Sequence, residues 1–135
     1  MAVLSLKDAS ITINSVDLSN HANSVSVNYE IDSIEVTAFG STGHIFAGGL
    51  QNNSCEISLM QDFAATNVEA TIYPLVGTTT TLAIKASSSA TSATNPLYTI
   101  SSAYLSAHTP VAGAVGEVAM TTLSFTGGTI VKTTA

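Results

Sequence analysis

Charge is what this 135-residue chain has least of. Charged residues make up 9% of it, where a soluble domain usually carries about 25%. Its cations are Lys7, Lys85 and Lys132 alone, and the formal net charge is -6. That scarcity excludes a direct grip on nucleic acid, which needs cationic side chains to neutralise phosphates. It also excludes a polybasic membrane anchor. No apolar run approaches the roughly 18 residues of a membrane-spanning helix. Cys55 is the single cysteine, so no disulfide forms within the chain. Tryptophan is missing and aromatics reach only 6%, which disfavours a sugar-binding face built from stacked rings. The start, Met1 to Lys7, has no basic region and only a brief apolar stretch. No secretory leader is therefore expected, and cytosolic synthesis is the default. Asn52-Asn53-Ser54 matches a glycosylation triplet and, without a leader, is read as chance.

What is present is hydrophobic. Such residues make up 45% of the chain, cut into short runs among Ser, Thr and Gly. Low mutual repulsion and an apolar, hydroxyl-rich surface favour association. Much of the surface is therefore expected to be covered by copies of the same chain. The length suits a single domain, residues 1–135, that buries its core without staples.

Period-two alternation dominates and predicts strands. Ser10-Ile11-Thr12-Ile13 and Val16-Asp17-Leu18 flank Asn14-Ser15 as a first hairpin. From Ser24 to Glu30, Val25, Val27 and Tyr29 point one way and Ser24, Ser26, Asn28 and Glu30 the other. Cys55, Ile57 and Leu59 alternate likewise against Ser54, Glu56 and Ser58, and Leu82 and Ile84 point inward from 79–86. Strands over 98–107 and 118–126 complete the set, rich in the branched and aromatic residues that suit a pleated surface. One segment breaks the rhythm. Thr66-Asn67-Val68-Glu69 has the capping-box pattern, and Val68, Ile72, Leu75 and Val76 recur at helical spacing, predicting a short helix over 66–76. Ser87 to Pro96 reads as a polar, flexible loop. A second long loop, about 31–50, holds four glycines yet also Ile34, Val36, Phe39, Ile45, Phe46 and Leu50. Those side chains need a partner surface. Either the segment is a hairpin folded back on its own core, or it is an arm that docks on a neighbouring subunit. Antiparallel strands with one flanking helix predict an all-β sandwich.

Reactive constellations are scarce, so no enzyme, cofactor or metal centre is expected. His21, His44 and His108 lie in three separate segments without metal-ligand spacing and read as surface or loop histidines. Cys55, on an inward strand face, behaves as a small hydrophobe rather than a nucleophile. No G-x-S-x-G elbow and no phosphate-binding glycine loop occurs. The nine carboxylates are scattered without a calcium-loop pattern. Glu30 and Glu56 each fall on a polar strand face beside Ser and Asn. That face is either an ordinary solvated surface or the lining of a water-filled passage.

Several segments recur together in order: Val16-Asp17-Leu18-Ser19-Asn20-His21, Val25-Ser26-Val27-Asn28-Tyr29-Glu30, Val36-Thr37-Ala38-Phe39-Gly40, Gln61-Asp62-Phe63-Ala64-Ala65, Tyr73-Pro74-Leu75-Val76-Gly77-Thr78, Asn95-Pro96-Leu97-Tyr98 and Gly113-Ala114-Val115-Gly116-Glu117. In that order and spacing the chain resembles the major tail tube proteins of long, flexible-tailed (siphovirus-type) bacteriophages, especially those infecting actinobacteria. The resemblance implies a β-sandwich that forms rings, usually hexamers, stacked into a hollow tube that conducts DNA. It implies that part of each sheet joins its neighbours in a continuous barrel. The long loop reaches adjacent subunits or rings, with Ile34, Val36, Phe39, Ile45, Phe46 and Leu50 as its contacts, and Glu30 and Glu56 are candidates for the lumen face. Its partners would be itself and other tail proteins at the tube ends, with DNA passing unbound and no membrane involved. It would reside in the virion tail after assembly in the bacterial cytoplasm. The family often carries more charge than this chain. A capsid decoration or head–tail junction protein is the related alternative. A secreted β-sandwich adhesin is the more distant one, and a small hydrolase is least supported.

Overall fold

A computed structural model describes residues 6–134; residues 1–5 of the start read for a leader lie outside that range. The alternating segments form strands. β1 (Ser10–Ile13) and β2 (Val16–Asp17) make the first hairpin. Its turn residues Asn14 and Ser15 have φ of 51° and 67°, the left-handed pair that a two-residue turn between twisted strands requires. There follow β3 (Ala22–Asn28), β4 (Ile31–Glu35), β5 (Phe46–Gln51) and β6 (Ser54–Met60). A short helix, α1 (Val68–Ile72), runs into a 3-10 turn at Tyr73–Leu75. β7 (Thr79–Lys85), β8 (Leu97–His108), β9 (Met120–Thr126) and β10 (Thr129–Thr133) complete the order.

One antiparallel sheet runs β2-β1-β7-β8-β9-β6-β3, with β10 also joined to β8, while among the described strands β4 and β5 pair only with each other. The long strand β8 turns the sheet into a sandwich. Its first half, Leu97–Ser101, pairs with β10, and its second half, from Tyr104, pairs with β9. Between the halves Ser102 adopts φ 59°. The β9–β10 turn, Gly127-Gly128, crosses this bend. A Cβ on Gly128 would stand 2.4 Å from the Ser101 carbonyl oxygen, so only glycine permits the approach. Ile11, Ile13, Leu82, Ile84 and Ile100 on one side thus meet Ile57, Leu59, Leu105, Leu123 and Phe125 on the other, with Val68 and Ile72 of α1 buried in the same core. Each such side chain contributes about 1.5–3 kcal/mol by leaving water. The alternation read from the sequence is reproduced in β6, where Cys55, Ile57 and Leu59 are buried.

The structure departs from the sequence reading at several places. Tyr29 lines the same groove as Val27 but lies beyond the strand. β3 ends at Asn28, and Tyr29 is exposed. Glu30 consequently lies in a two-residue link rather than on a strand face. The capping box does not form. Thr66 has φ 65°, Asn67 holds the cap position without a side-chain bond, and the Glu69 carboxylate is occupied by Gln61 and His108. The 87–96 loop closes around the buried Asn95, whose amide donates to the carbonyls of Ser87, Ser89 and Ala90.

Candidate assembly surface

The segment over 31–50 is a hairpin that extends the β3–β6 pair. Asn28 faces Ser54 at the end of that ladder, and Ile31 faces Gln51 at the start of the next. The joint between them is Tyr29-Glu30 on one strand and Asn52-Asn53 on the other, closed by Asn52 N–H donating to the Glu30 carbonyl at 2.8 Å. Asn53 locks it. This side chain is buried, and its Nδ2 donates to Gln51 Oε1 at 2.9 Å and to the Gly128 carbonyl at 3.0 Å. Its Oδ1 accepts from Glu30 N–H, and its carbonyl accepts from Gly127 N–H. Gln51 Oε1 also accepts from Ile130 N–H at 3.1 Å. The arm is therefore hydrogen-bonded at its root to the glycine turn beside β8. In the sequence Asn53 is only the middle residue of the glycosylation triplet, whose acceptor is Asn52. Two asparagines between predicted strands were the signal of a structured joint.

The arm's tip is also ordered by polar contacts. The Thr37 hydroxyl donates to Glu35 and accepts from Ile45 N–H, and His44 Nδ1 lies 2.6 Å from Glu35 Oε2. His44, then Thr37, hold the Glu35 carboxyl below the usual carboxylate range. At the apex Ser41 N–H bonds the Ala38 carbonyl, and Gly40 has φ 92°, as the third position of a type II turn demands. Phe39 occupies the second position and is wholly exposed, at 109% of its reference area. Ile34, Val36, Ile45, Phe46 and Leu50 are all at least half exposed. The hairpin does not fold back on the core. An unpartnered apolar surface of this kind marks an interaction site.

A second surface is the outer face of β3, β6 and β9. Ser24, Ser58 and Thr122 stand in one cross-strand row, Ser26, Glu56 and Ser124 in the next, and Asn28, Ser54 and Thr126 in a third. Glu56 is exposed at the centre of this hydroxyl field. Glu30, displaced into the joint, is held by Asn28 Nδ2 at 2.7 Å. Among the described strands β3 is an edge, with β6 on one side only.

Polar networks fasten the helix segment to the sandwich. His21 Nε2 lies 2.9 Å from Asp62 Oδ2. Bonds from Ala64 N–H, His21 and Asn67 hold the Asp62 carboxyl below its usual range. His108 is not a surface histidine. Its side chain is 3% exposed, with Nε2 2.9 Å from Glu69 and Nδ1 2.9 Å from the Thr121 hydroxyl. Thr121, His108 and Glu69 have the connectivity of a nucleophile–base–acid relay. Thr121 is fully buried, however, so no substrate reaches the hydroxyl and the relay acts as a tie between α1, β8 and β9. Burial pushes the Cys55 thiol up to about 12, which leaves it unreactive. Among the described residues no three His, Cys, Asp or Glu side chains converge as metal ligands, and no helix is long and apolar enough to cross a membrane.

No protein-family model and no curated protein matches the chain, but solved structures do. A chain of the PVC extracellular contractile injection system, in its extended sheath–tube complex, superposes with a TM-score of 0.71 at 11% identity, covering 98% of this chain and 93% of that one. The chain has a tail-type fold. A chain from the virion of a native gene transfer agent particle matches with a TM-score of 0.67 at 14% identity, over 97% of this chain and 99% of that one. A chain from the tail of the empty gene transfer agent particle, refined helically with C6 symmetry, matches at 0.51 and 16% identity over 85% and 83%. At these identities the likeness is one of fold, and the tail-type fold extends from one end of the described chain to the other.

Proposed function

We propose that this chain is the structural repeating subunit of a phage tail tube of the long, flexible-tailed type. One observation carries the reading: a tail-type fold bears an ordered arm whose apolar residues find no partner among the described residues. An interface made of copies of the chain removes those residues from water and makes a charged content of 9% tolerable. The subunit works by assembly, without chemistry or cofactor. Six copies close a ring, the number suggested by the C6 gene transfer agent tail, and rings stack. Ile34, Val36, Phe39, Ile45, Phe46 and Leu50 of the arm form the contacts between copies. The free β3 edge extends into the neighbouring subunit, so that the hydroxyl face lines the lumen with Glu56 and, at the joint, Glu30. Repeated carboxylates there repel phosphates and keep a passing duplex hydrated and unbound. The subunit resides in the virion tail, with other tail proteins at the tube ends, after assembly in the host cytoplasm.

Sedimentation of concentrated protein, followed by negative-stain microscopy, tests this. Rings or tubes are expected, with a lag that seeds abolish. A stable monomer even when seeded overturns the reading. Closed shells would favour a decoration protein instead.

A further inference from the structure

Two sheet edges leave an apolar slot between them. Among the described strands, β3 is bonded only to β6, and β10 only to β8. Where the end of β3 passes the β8–β10 pair lies a groove of about 380 Å³, lined by Val27, Tyr29, Tyr98 and Ile130. Lys132 stands directly opposite Tyr98 in the β8–β10 register, so the two side chains share a face. Lys132 makes no ion pair with a described residue, whereas Lys85 donates to the Ser89 carbonyl.

We propose that this groove receives Phe39 from the arm of a second copy, with Lys132 beside it facing the arm's carboxylates Asp32 and Glu35. The proposal rests on the tube reading above and names the receiving site. A copy does not fill its own groove. The arm leaves the body at Tyr29, which lines the groove, and Phe39 lies eight positions beyond Ile31 at the apex, wholly exposed among the described residues. Charge and apolarity together select this groove over its rivals. The cleft beside Leu6 and Ile11 holds Lys7, but Asp8, Ser19, Asn23 and Ser24 line it too. The apolar surfaces at Tyr73 and Pro74, and at Val76 and Pro110, contain no lysine, and Glu69 borders the first. An acidic arm is disfavoured there and favoured beside Lys132. A phenyl ring entering the groove removes apolar surface from water on both partners.

Single-cysteine variants test the contact between copies directly. Ala38→Cys, which places a thiol beside Phe39 and keeps its ring, is mixed under mild oxidation with Tyr98→Cys, or with Thr122→Cys on the exposed hydroxyl face as the control. Each chain then carries one accessible thiol, since Cys55 is buried, and a mixed disulfide can only join two copies. A severalfold excess of the Ala38–Tyr98 dimer over the Ala38–Thr122 dimer is expected. Lys132→Glu in the groove partner should remove that excess, and Asp32→Lys with Glu35→Lys in the arm partner should restore it. Tyr29→Cys, on the exposed rim, repeats the measurement should Tyr98→Cys prove unstable. Equal or absent cross-linking overturns the proposal. Tubes that form without the Ala38–Tyr98 link refute the groove and leave the tube reading standing. A link without tubes does the reverse.

Discussion

Asn53 should matter far more than its neighbour Asn52, although the two are chemically identical. Asn53→Ala deletes two donated hydrogen bonds and one accepted one, leaving Gln51 Oε1, the Gly128 carbonyl and Glu30 N–H without that partner. An unsatisfied buried polar group costs about 1–3 kcal/mol. These three lie at a half-buried joint where water compensates in part, so the lower end of that range applies, and the sum is about 2–3 kcal/mol. For a domain of this size that is a fall in Tm of about 6–12 °C. Asn53→Asp should be worse at neutral pH, because a carboxylate oxygen would then face two acceptors. The Asn52 side chain makes no hydrogen bond among the described residues and is exposed, so Asn52→Ala should change Tm by less than about 2 °C. Thermal unfolding followed by circular dichroism reads all three variants. An unchanged Tm for Asn53→Ala, or equal damage from Asn52→Ala, would refute the locked joint.

Phe39→Ser and Phe46→Ser should keep the wild-type Tm and abolish polymerisation in sedimentation, each removing about 1.5–3 kcal/mol per contact; a drop in Tm would instead make the hairpin part of the subunit core. The lowered Asp62 carboxyl favours the charged form in the folded state, so its contribution is complete above the unfolded pKa of about 3.9 and is lost as pH falls through the lower folded value. The Tm of the wild type should therefore fall more steeply below pH 4 than that of Asp62→Asn, and parallel curves would contradict this. Glu56→Lys and Glu30→Lys should still assemble yet slow DNA ejection, most at low salt, because screening shortens the charge's reach to about 8 Å at physiological ionic strength. Normal ejection across a salt series would remove the repulsive-wall mechanism.

What the sequence made legible was local. Alternation exposed the inward row of β6, and Asn14-Ser15 announced the first turn, because both depend on neighbouring residues alone. The apolar side chains stranded among glycines at 31–50 were visible as a surface in need of a partner. What stayed hidden depends on contacts distant along the chain. His21 meets Asp62 across 41 positions, and His108 meets Glu69 across 39. The second of these redirects the carboxylate that the capping-box pattern had assigned to the helix start. The bend at Ser102 is made by the Gly128 turn, and Asn53 reaches that same turn across 75 positions. The bend has no signature at short range, the paired asparagines signal a joint without naming its distant partner, and the strand β10 beyond the turn shared that obscurity.

The central claim is that copies of this chain bury one another's arms in a hollow polymer. A helical cryo-EM reconstruction of the assembled protein tests it most directly. The account predicts stacked rings around an open lumen, with Phe39 and Phe46 buried against neighbouring copies and Glu56 on the inner wall. A closed shell, or a tube in which residues 31–50 remain exposed to solvent, would contradict it.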